Sequence, residues 1–336
     1  AAAFSRDSGP APEIASMGAM KLVTFCAKES LQQRLGAVLG DKVLDLSAAT
    51  EGRLPTRMLE LIERSADYLP LAREAVKTPK DSALFPLAEV RLKAPLPDPP
   101  SLKDFFAFEA HAQAGASRRG EPLPAEWYEL PAYYKGNPRE VYGPEDVIPW
   151  PSYTRRLDFE CEIACVAGRK GRDLTPDAAA SHLFGYMIFN DFSARDIQKK
   201  EMINRMGPAK SKDFANAFGP WLVTADEVDP RRDFSMSIRV NGNAWSEGFF
   251  RDQYWGFPLI LSHVSQCETL YPGDVFGSGT FYKGCGLDLD RWLKPGDVIE
   301  LEVPALGILR SVIGSPKEQR ELNYRKSGPP AGVPSA

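Results

Sequence analysis

The sequence predicts an α+β protein that is mainly β, and three patterns indicate this fold class. Residues 157–165 alternate apolar and acidic side chains, which is the period-2 pattern of a β-strand. Asn241-Gly242 lies between two strand-like segments and is typical of a tight β-hairpin. The sequence Pro-Gly-Asp-Val occurs at 272–275 and again at 295–298, where it predicts turns that enter strands.

The first part of the chain predicts a small β-rich domain over residues 20–94. Its predicted elements are strands at 21–26 and 90–94, a hairpin of 34–39 with 43–46, and a helix over 58–76. A proline cluster at 95–100 follows, and stiff, extended chain of this kind marks a domain boundary. Because this unit has one cysteine and no histidine, we expect it to support assembly or to cover a site.

Residues 99–316 are predicted to form a larger domain that carries the chemistry. Its predicted elements include a helix over 104–111, a long polar loop over 118–151, a helix from Thr175 through 183, a strand over 185–189 and a helix from Ser193. The long loop is typical of a lid or a substrate-contacting segment, and a mobile surface loop is the alternative. Residues 1–19 are predicted to be a leader or tag, and 317–336 a disordered tail.

Composition and charge argue against several classes of function. Hydrophobic residues make up 43% of the chain and charged residues 26%, which is ordinary for a soluble globular protein. The net charge of −4 and the lack of a basic run interleaved with aromatic residues argue against nucleic-acid binding. The apolar runs are far shorter than the ~20 residues of a membrane-spanning helix, and we expect a cytoplasmic protein without membrane attachment.

The acidic strand 157–165 carries the strongest signal for a functional site. Asp158, Glu160 and Glu162 point the same way on a strand, and alternate residues lie about 6.5–7 Å apart, so two carboxylates can converge on one ion. A solvated acidic face is the alternative, and this segment alone does not decide between the two. Cys161 and Cys165 fall on the apolar face and are predicted to be small buried hydrophobic residues.

Asp104 and His111 form a second candidate group. Seven residues separate them, so on the predicted helix they share one face roughly 10 Å apart. This spacing is too wide for both to bind one ion, and it suits a ligand and a base on either side of a substrate. His182 and His263 are predicted to be core or flanking histidines.

Two further polar residues lie where a site could form. Asp191 ends a predicted apolar strand, where it could be an active-site ligand or a helix N-cap, and Ser193 competes for the N-cap role. Lys212 lies in a polar loop before Gly219-Pro220-Trp221, where a functional role and simple solvation are both open.

Two segments resemble the fumarylacetoacetate hydrolase family. They are Leu157-Asp158-Phe159-Glu160-Cys161-Glu162 and Asn190-Asp191-Phe192-Ser193-Ala194-Arg195-Asp196-Ile197-Gln198. The order of motifs agrees over residues 99–314, and it includes an Asp with a His seven residues on, a lysine before Gly-Pro-Trp, and Gly-Ser-Gly-Thr at 277–280. The resemblance implies a mixed β-sandwich or β-roll catalytic domain with flanking helices, the small N-terminal domain of the longer members, and a homodimer.

The resemblance also implies roles for individual residues. The divalent-cation ligands are Asp104, Glu160, Glu162 and Asp191, with Mg²⁺ expected and Ca²⁺ or Mn²⁺ as alternatives. His111 matches the base that activates water, and Asp288 takes the place of the glutamate that orients this base in fumarylacetoacetate hydrolase. The family's groups around the substrate oxygens correspond here to Lys212, Arg195 and Gln198. Its substrate-contacting residues correspond to Tyr134 and Thr280. Gly120 stands where that enzyme has a substrate-binding arginine, and Arg118 or Arg119 could replace it.

The implied reaction is hydrolysis of a carbon–carbon bond in a β-diketone such as an acylpyruvate or a fumarylacetoacetate-like compound. In this reaction the cation and Lys212 stabilise developing negative charge while His111 activates water. The alternative is a decarboxylase or isomerase of a 2-oxo acid such as oxaloacetate that uses the same metal site. A third possibility is a binding protein without turnover.

Overall fold

The computed structural model describes residues 19–316, 318–322 and 324. Apart from Ala19, the predicted leader lies outside the described residues, and so does most of the predicted tail. No helix within the described ranges has the length and apolar character needed to cross a membrane.

The N-terminal part of the chain follows its predicted order of strands and helices. The strands are β1 (Lys21–Ala27), β2 (Arg34–Leu39), β3 (Lys42–Asp45), β4 (Leu84–Pro86) and β5 (Val90–Leu92), and the helices are α1 (Leu46–Ala49), α2 (Met58–Glu63) and α3 (Ser65–Lys77). The prediction of a single helix over residues 58–76 is wrong, because this segment forms the two helices α2 and α3. Its backbone leaves the helical region at Arg64, with φ −118° and ψ 34°, so two helices form instead of one.

The rest of the chain contains the elements that surround the candidate site. Its first half comprises β6 (Leu102–Phe105), α4 (Glu109–Arg118), β7 (Tyr133–Gly136), β8 (Val141–Tyr142), β9 (Val147–Ile148), β10 (Leu157–Asp158), β11 (Cys161–Ala167), β12 (Gly171–Arg172), α5 (Pro176–Ala180) and β13 (Leu183–Asp191). Its second half comprises β14 (Ser193–Ala194), α6 (Arg195–Ile203), β15 (Asn216–Thr224), α7 (Pro230–Asp233), β16 (Ser235–Val240), β17 (Asn243–Phe249), α8 (Phe257–Ser265), β18 (Thr269–Leu270), β19 (Val275–Gly277), α9 (Gly286–Leu289), β20 (Val298–Val303) and β21 (Gly307–Ile313).

A twelve-stranded sheet, a five-stranded sheet, two two-stranded sheets and flanking helices make up the described part of the fold, which confirms an α+β protein that is mainly β. The large sheet runs in the order β4-β3-β2-β1-β15-β13-β11-β19-β6-β7, and the smaller one in the order β17-β16-β20-β21-β9. Ile163, Ile188 and Leu301 belong to the core between the sheets. The opposite face of the large sheet packs with Leu61 and Ile62 of α2.

The N-terminal strands are part of the large sheet. β1 pairs antiparallel with β15, with Lys21 opposite Val223 and Leu22 opposite Leu222. The sheet therefore continues from the N-terminal strands into those that carry the candidate site. The domain boundary at residues 95–100 stays a prediction.

The prediction of one helix over residues 104–111 is wrong. Asp104 lies in β6, which pairs with β19 on one side and β7 on the other, and α4 begins only at Glu109. Phe105 and Ala107 are buried whereas Phe106 is 37% exposed, which is the alternation of extended chain. Asp104 and His111 therefore do not share a helix face. The interval predicted as one loop, 118–151, also contains β7, β8 and β9, each of which joins a sheet.

The acidic strand is buried on both faces. β10 ends at Asp158, β11 begins at Cys161, and Glu160 between them forms an isolated bridge to Cys285. Asp158, Glu160 and Glu162 are 0%, 7% and 0% exposed. The alternative of a solvated acidic face is therefore wrong, because the carboxylates lie inside the protein. Cys161 and Cys165 are buried, as predicted.

Candidate metal centre and active site

Four carboxylates from β6, from β11 and the residue before it, and from β13 meet in the interior of the protein. Asp104 lies near the end of β6, Glu160 precedes β11, Glu162 lies in β11, and Asp191 ends β13. One oxygen of each lies within 4.8 Å of the others, and all four residues are buried. The structure thus brings together the four residues that the sequence predicted as ligands. Asp191 lies in a strand, and the N-cap position of α6 is Ala194, so neither Asp191 nor Ser193 caps that helix.

Glycines in the segment 277–280 allow the backbone to approach these carboxylates. A Cβ atom at Gly277 would lie 2.3 Å from Asp104 Oδ1. Gly279 has a φ of +74°, which glycine adopts without strain, and its N–H donates to Glu162 Oε2 at 2.8 Å. Both glycines are therefore needed to hold the carboxylates in place. Thr280, a predicted substrate contact, donates its hydroxyl to the carbonyl of Cys161 at 2.9 Å.

Two buried cations partly offset the acidic charge. Lys212 Nζ donates to Glu160 Oε2 at 2.6 Å and also contacts Asp191. Arg195 Nη2 donates to Glu160 Oε1 at 2.7 Å, and its Nη1 donates to Gln198 Oε1 at 2.9 Å. The predicted residues Lys212, Arg195 and Gln198 thus lie beside the carboxylates. Lys212 is 3% exposed, so the alternative of a solvated lysine is wrong.

The protonation of the four carboxylates reflects their burial. Burial raises the pKa of Asp104 to about 6. Burial and the neighbouring carboxylates raise the pKa values of Glu162 and Asp191 well above their usual range. Burial has the same tendency at Glu160, but the charges of Lys212 and Arg195 outweigh it and hold its pKa below the usual value. Protonation is therefore one way in which the cluster lowers its charge.

The same residues fit a divalent cation. Glu162 Oε1 and Asp191 Oδ1 are buried and, within the described part of the chain, accept no hydrogen bond. A buried oxygen without a partner is costly, and coordination of a cation would satisfy it. Since the donors are all carboxylate oxygens, the set suits a hard ion such as Mg²⁺, Ca²⁺ or Mn²⁺.

A histidine and a carboxylate form a second group next to the first. His111 Nδ1 and Asp288 Oδ2 lie 2.7 Å apart, and the N–H of Lys283 donates to the same Oδ2 at 3.0 Å. The shorter aspartate side chain therefore reaches His111. Burial tends to raise the pKa of Asp288, but the hydrogen bond with His111 and the nearby charges hold it below its usual value. Because Nδ1 is bound to Asp288, Nε2 is the ring nitrogen left to exchange a proton.

The remaining predicted site residues contact protein groups. The hydroxyl of Tyr134 donates to Asp191 Oδ2 at 2.9 Å, and burial raises the pKa of Tyr134 well above its usual value. Arg118 Nη2 lies 2.8 Å from Asp288 Oδ1. His182 lies near the carbonyl of Ala178, and His263 lies in α8, so neither belongs to the carboxylate cluster.

Asp158 has a place in the site that sequence reasoning missed. Its Oδ2 accepts from Arg195 Nε at 2.7 Å and from the N–H of Leu287 at 3.0 Å, and its Oδ1 accepts from the N–H of Gly286 at 2.8 Å. Gly286 and Leu287 begin α9, the helix that carries Asp288. Asp158 thus connects Arg195, which binds Glu160, to α9, which carries the Asp288 that binds His111. The alternating pattern included Asp158, but it did not indicate these contacts.

Comparison with known proteins gives the family of this chain. The family described as fumarylacetoacetate (FAA) hydrolase C-terminal matches residues 102–314. The chain belongs to the fumarylacetoacetate hydrolase family. This confirms the resemblance seen in the motifs, and the matched interval contains both the carboxylate cluster and the pair His111 and Asp288.

Relatives in this family match more than four fifths of this chain. Oxaloacetate tautomerase YisK of Bacillus subtilis is 30% identical over an alignment of 294 residues, which covers 83% of this chain and 96% of that protein. The mitochondrial oxaloacetate tautomerase FAHD2A of Homo sapiens is 29% identical over 86% of this chain and 90% of its own length. The structure of a fumarylacetoacetate hydrolase from Exiguobacterium antarcticum superimposes with a TM-score of 0.70 and 28% identity, covering 88% of this chain and 99% of that one.

Proposed function

We propose that this chain is a divalent-cation-dependent enzyme that interconverts the keto and enol forms of a 2-oxo acid such as oxaloacetate. The observation that carries the proposal is the buried cluster of four carboxylates beside the pair formed by His111 and Asp288. Relatives named oxaloacetate tautomerase, 28–30% identical over 90–96% of their lengths, support this class of substrate. We therefore favour the 2-oxo acid alternative over the hydrolase that the motifs first suggested.

The carboxylate cluster would hold the cation and the fixed charges around it. Asp104, Glu160, Glu162 and Asp191 are the proposed ligands, and a cation bound there would act as a Lewis acid toward the oxygens of the 2-oxo acid. Lys212 keeps a buried positive charge next to the cluster, where it can offset negative charge that develops on the substrate oxygen. Arg195 holds Glu160 in place through its hydrogen bond to Oε1.

His111 is the proposed base. Its Nε2 takes a proton from C3 of the keto acid, the electrons of the C3–H bond form the C2=C3 double bond, and the electron pair of the carbonyl moves to the C2 oxygen. Transfer of the proton from His111 Nε2 to that oxygen gives the enol and restores the neutral base, and the reverse sequence returns the proton to C3. Asp288 keeps Nδ1 occupied, so that Nε2 stays available for this transfer.

Hydrolysis of an acylpyruvate is the second candidate, because the same His111 and Asp288 pair is suited to removing a proton from water. Proton NMR in D₂O separates the two reactions. We expect cation-dependent exchange of the C3 protons of oxaloacetate, faster than without enzyme, and no cleavage of acylpyruvate or fumarylpyruvate. Cation-dependent formation of two acids from an acylpyruvate, without exchange in oxaloacetate, would overturn the proposal in favour of the hydrolase.

A further inference from the structure

Arg118 and His111 lie on the same helix and contact the same carboxylate. They are seven residues apart in α4, which places them on one face two turns from each other. Asp288 of α9 lies between them, with Oδ2 2.7 Å from His111 Nδ1 and Oδ1 2.8 Å from Arg118 Nη2. The side chain of Asp288 is 0% exposed, while that of Arg118 is 36% exposed.

Each oxygen of Asp288 therefore has its own charged or polar partner. Oδ2 contacts His111 and the N–H of Lys283, and Oδ1 contacts the guanidinium of Arg118. Oδ1 accepts no hydrogen bond from the described residues, so its contact with Arg118 is an ion pair without hydrogen-bond geometry. The charge of Arg118 favours the rotamer of the Cβ–Cγ bond in which Oδ1 faces the guanidinium and Oδ2 faces His111. Without Arg118, Oδ1 would lose its ion pair, and the carboxylate could turn away from His111.

We propose that Arg118 is a positioning residue, which fixes the Asp288 carboxylate in the orientation that holds His111 Nδ1 and leaves Nε2 as the base. This role differs from the substrate contact predicted for Arg118 as a replacement for the arginine that is missing at Gly120. Its effect on turnover rests on the proposed function, whereas its effect on the ring of His111 does not.

Two readouts separate the positioning role from substrate binding. If Arg118 binds the substrate, its removal raises KM for oxaloacetate. If Arg118 positions Asp288, its removal lowers kcat and leaves KM nearly unchanged. The second readout needs no substrate. The Nδ1 proton of a histidine bound to a buried carboxylate gives a low-field proton NMR signal, and with three histidines in the chain this signal can be assigned by comparison with His111→Gln.

The experiment compares Arg118→Gln, Arg118→Lys and the control Arg231→Gln. Arg231 is a suitable control because it is an exposed arginine in α7 and belongs to neither the carboxylate cluster nor the pair of His111 and Asp288. For Arg118→Gln we expect a kcat for oxaloacetate reduced by roughly tenfold, KM within about twofold, and a weakened or lost Nδ1 proton signal. Arg118→Lys, which keeps the charge, should recover part of the kcat and part of the Nδ1 proton signal, and Arg231→Gln should match the wild type.

Two results would overturn the positioning role. One is a raised KM with kcat and the Nδ1 signal retained, which would make Arg118 a substrate ligand. The other is a folded Arg118→Gln protein, verified by circular dichroism, whose Nδ1 signal is identical to that of the wild type. If the wild type does not act on oxaloacetate, the proposed function fails, and the NMR comparison still decides the role of Arg118.

Discussion

Asp158 accepts a 2.7 Å hydrogen bond from Nε of Arg195, and both residues are buried. Through this pair the carboxylate cluster is connected to α9, because Arg195 also binds Glu160 and Asp158 also binds the first N–H groups of α9. The carboxylate cluster and the pair of His111 and Asp288 are therefore connected through Arg195, Asp158 and α9.

We predict that Asp158→Asn destabilises the protein by roughly 3–5 kcal/mol, because it leaves the buried Arg195 with one fewer charged partner and places an amide donor among N–H donors. Urea unfolding of the metal-free protein measures this. Asp252→Asn, at an exposed position, is the control and should change the free energy of unfolding by less than about 0.5 kcal/mol. A loss below about 1 kcal/mol in Asp158→Asn would contradict the structural role given to Asp158.

Glu162→Gln should abolish binding of Mg²⁺ and Mn²⁺ measured by isothermal titration calorimetry. The substitution removes a proposed ligand but keeps the side-chain size, and the amide, like the protonated carboxyl group, places no charge in the buried cluster, so the metal-free variant should stay folded. Glu129→Gln, at an exposed position, should bind the cation as the wild type does. Unchanged affinity in Glu162→Gln would exclude Glu162 from the ligand set.

Without a cation, stability should fall as the pH rises through about 6. Burial raises the pKa of Asp104 to about 6 and those of Glu162 and Asp191 as well, so the folded state binds these protons more tightly than the unfolded state. The stabilisation is complete below the unfolded pKa values and is lost above the folded ones, on the order of 3 kcal/mol for Asp104 alone. Glu160 has the opposite effect, because its pKa is lowered and its ionised form therefore stabilises the folded state. This stabilisation is already complete at pH values above the usual pKa of a glutamate, so it does not reverse the fall in stability through pH 6.

Thermal unfolding in the presence of a chelator checks this pH dependence. We expect a lower Tm near pH 7 than near pH 5, and added Mg²⁺ should raise Tm at pH 7 because it neutralises the cluster. A chelated protein whose Tm is constant or rises over this interval would show that the carboxylates do not hold protons in the folded state.

One of the five cysteines should react with a thiol reagent in the folded protein. Cys267 is exposed, whereas Cys26, Cys161, Cys165 and Cys285 are buried. Burial also raises the pKa values of Cys165 and Cys285 well above the usual range, which lowers their thiolate fraction. Titration with 5,5′-dithiobis(2-nitrobenzoate) should therefore count one fast thiol in the native state and five in denaturant. Two or more fast native thiols would contradict this packing.

Local patterns were sufficient to predict several parts of the fold and the site. Asn241-Gly242 forms the predicted turn, with positive φ at both residues, and Thr175 caps α5 with its hydroxyl. The alternation around Glu160 and Glu162 and the strand end at Asp191 led to three of the four clustered carboxylates. These features depend on residues close together in the sequence, which is why the pattern contains them.

Features that depend on distant residues were not predictable in this way. The sequence predicts a helix at Asp104 because the aromatic residues after it suit a helix or a strand, and only the pairing of Asp104 opposite Gly277 decides for the strand. The contacts of Asp158 with Arg195 and of Arg118 with Asp288 join segments far apart in the chain. Nothing in the local sequence of either segment indicates them.

The most direct test of the proposed function is the rate at which the enol absorbance of oxaloacetate decays, followed by stopped-flow spectrophotometry with Mg²⁺ or Mn²⁺ and with chelator. We predict cation-dependent acceleration by the wild type, its loss in chelator, and its loss in both Glu162→Gln and His111→Gln. Decay in the presence of enzyme and cation that is no faster than in buffer with the same cation, or acceleration that persists in chelator, would contradict a cation-dependent tautomerase.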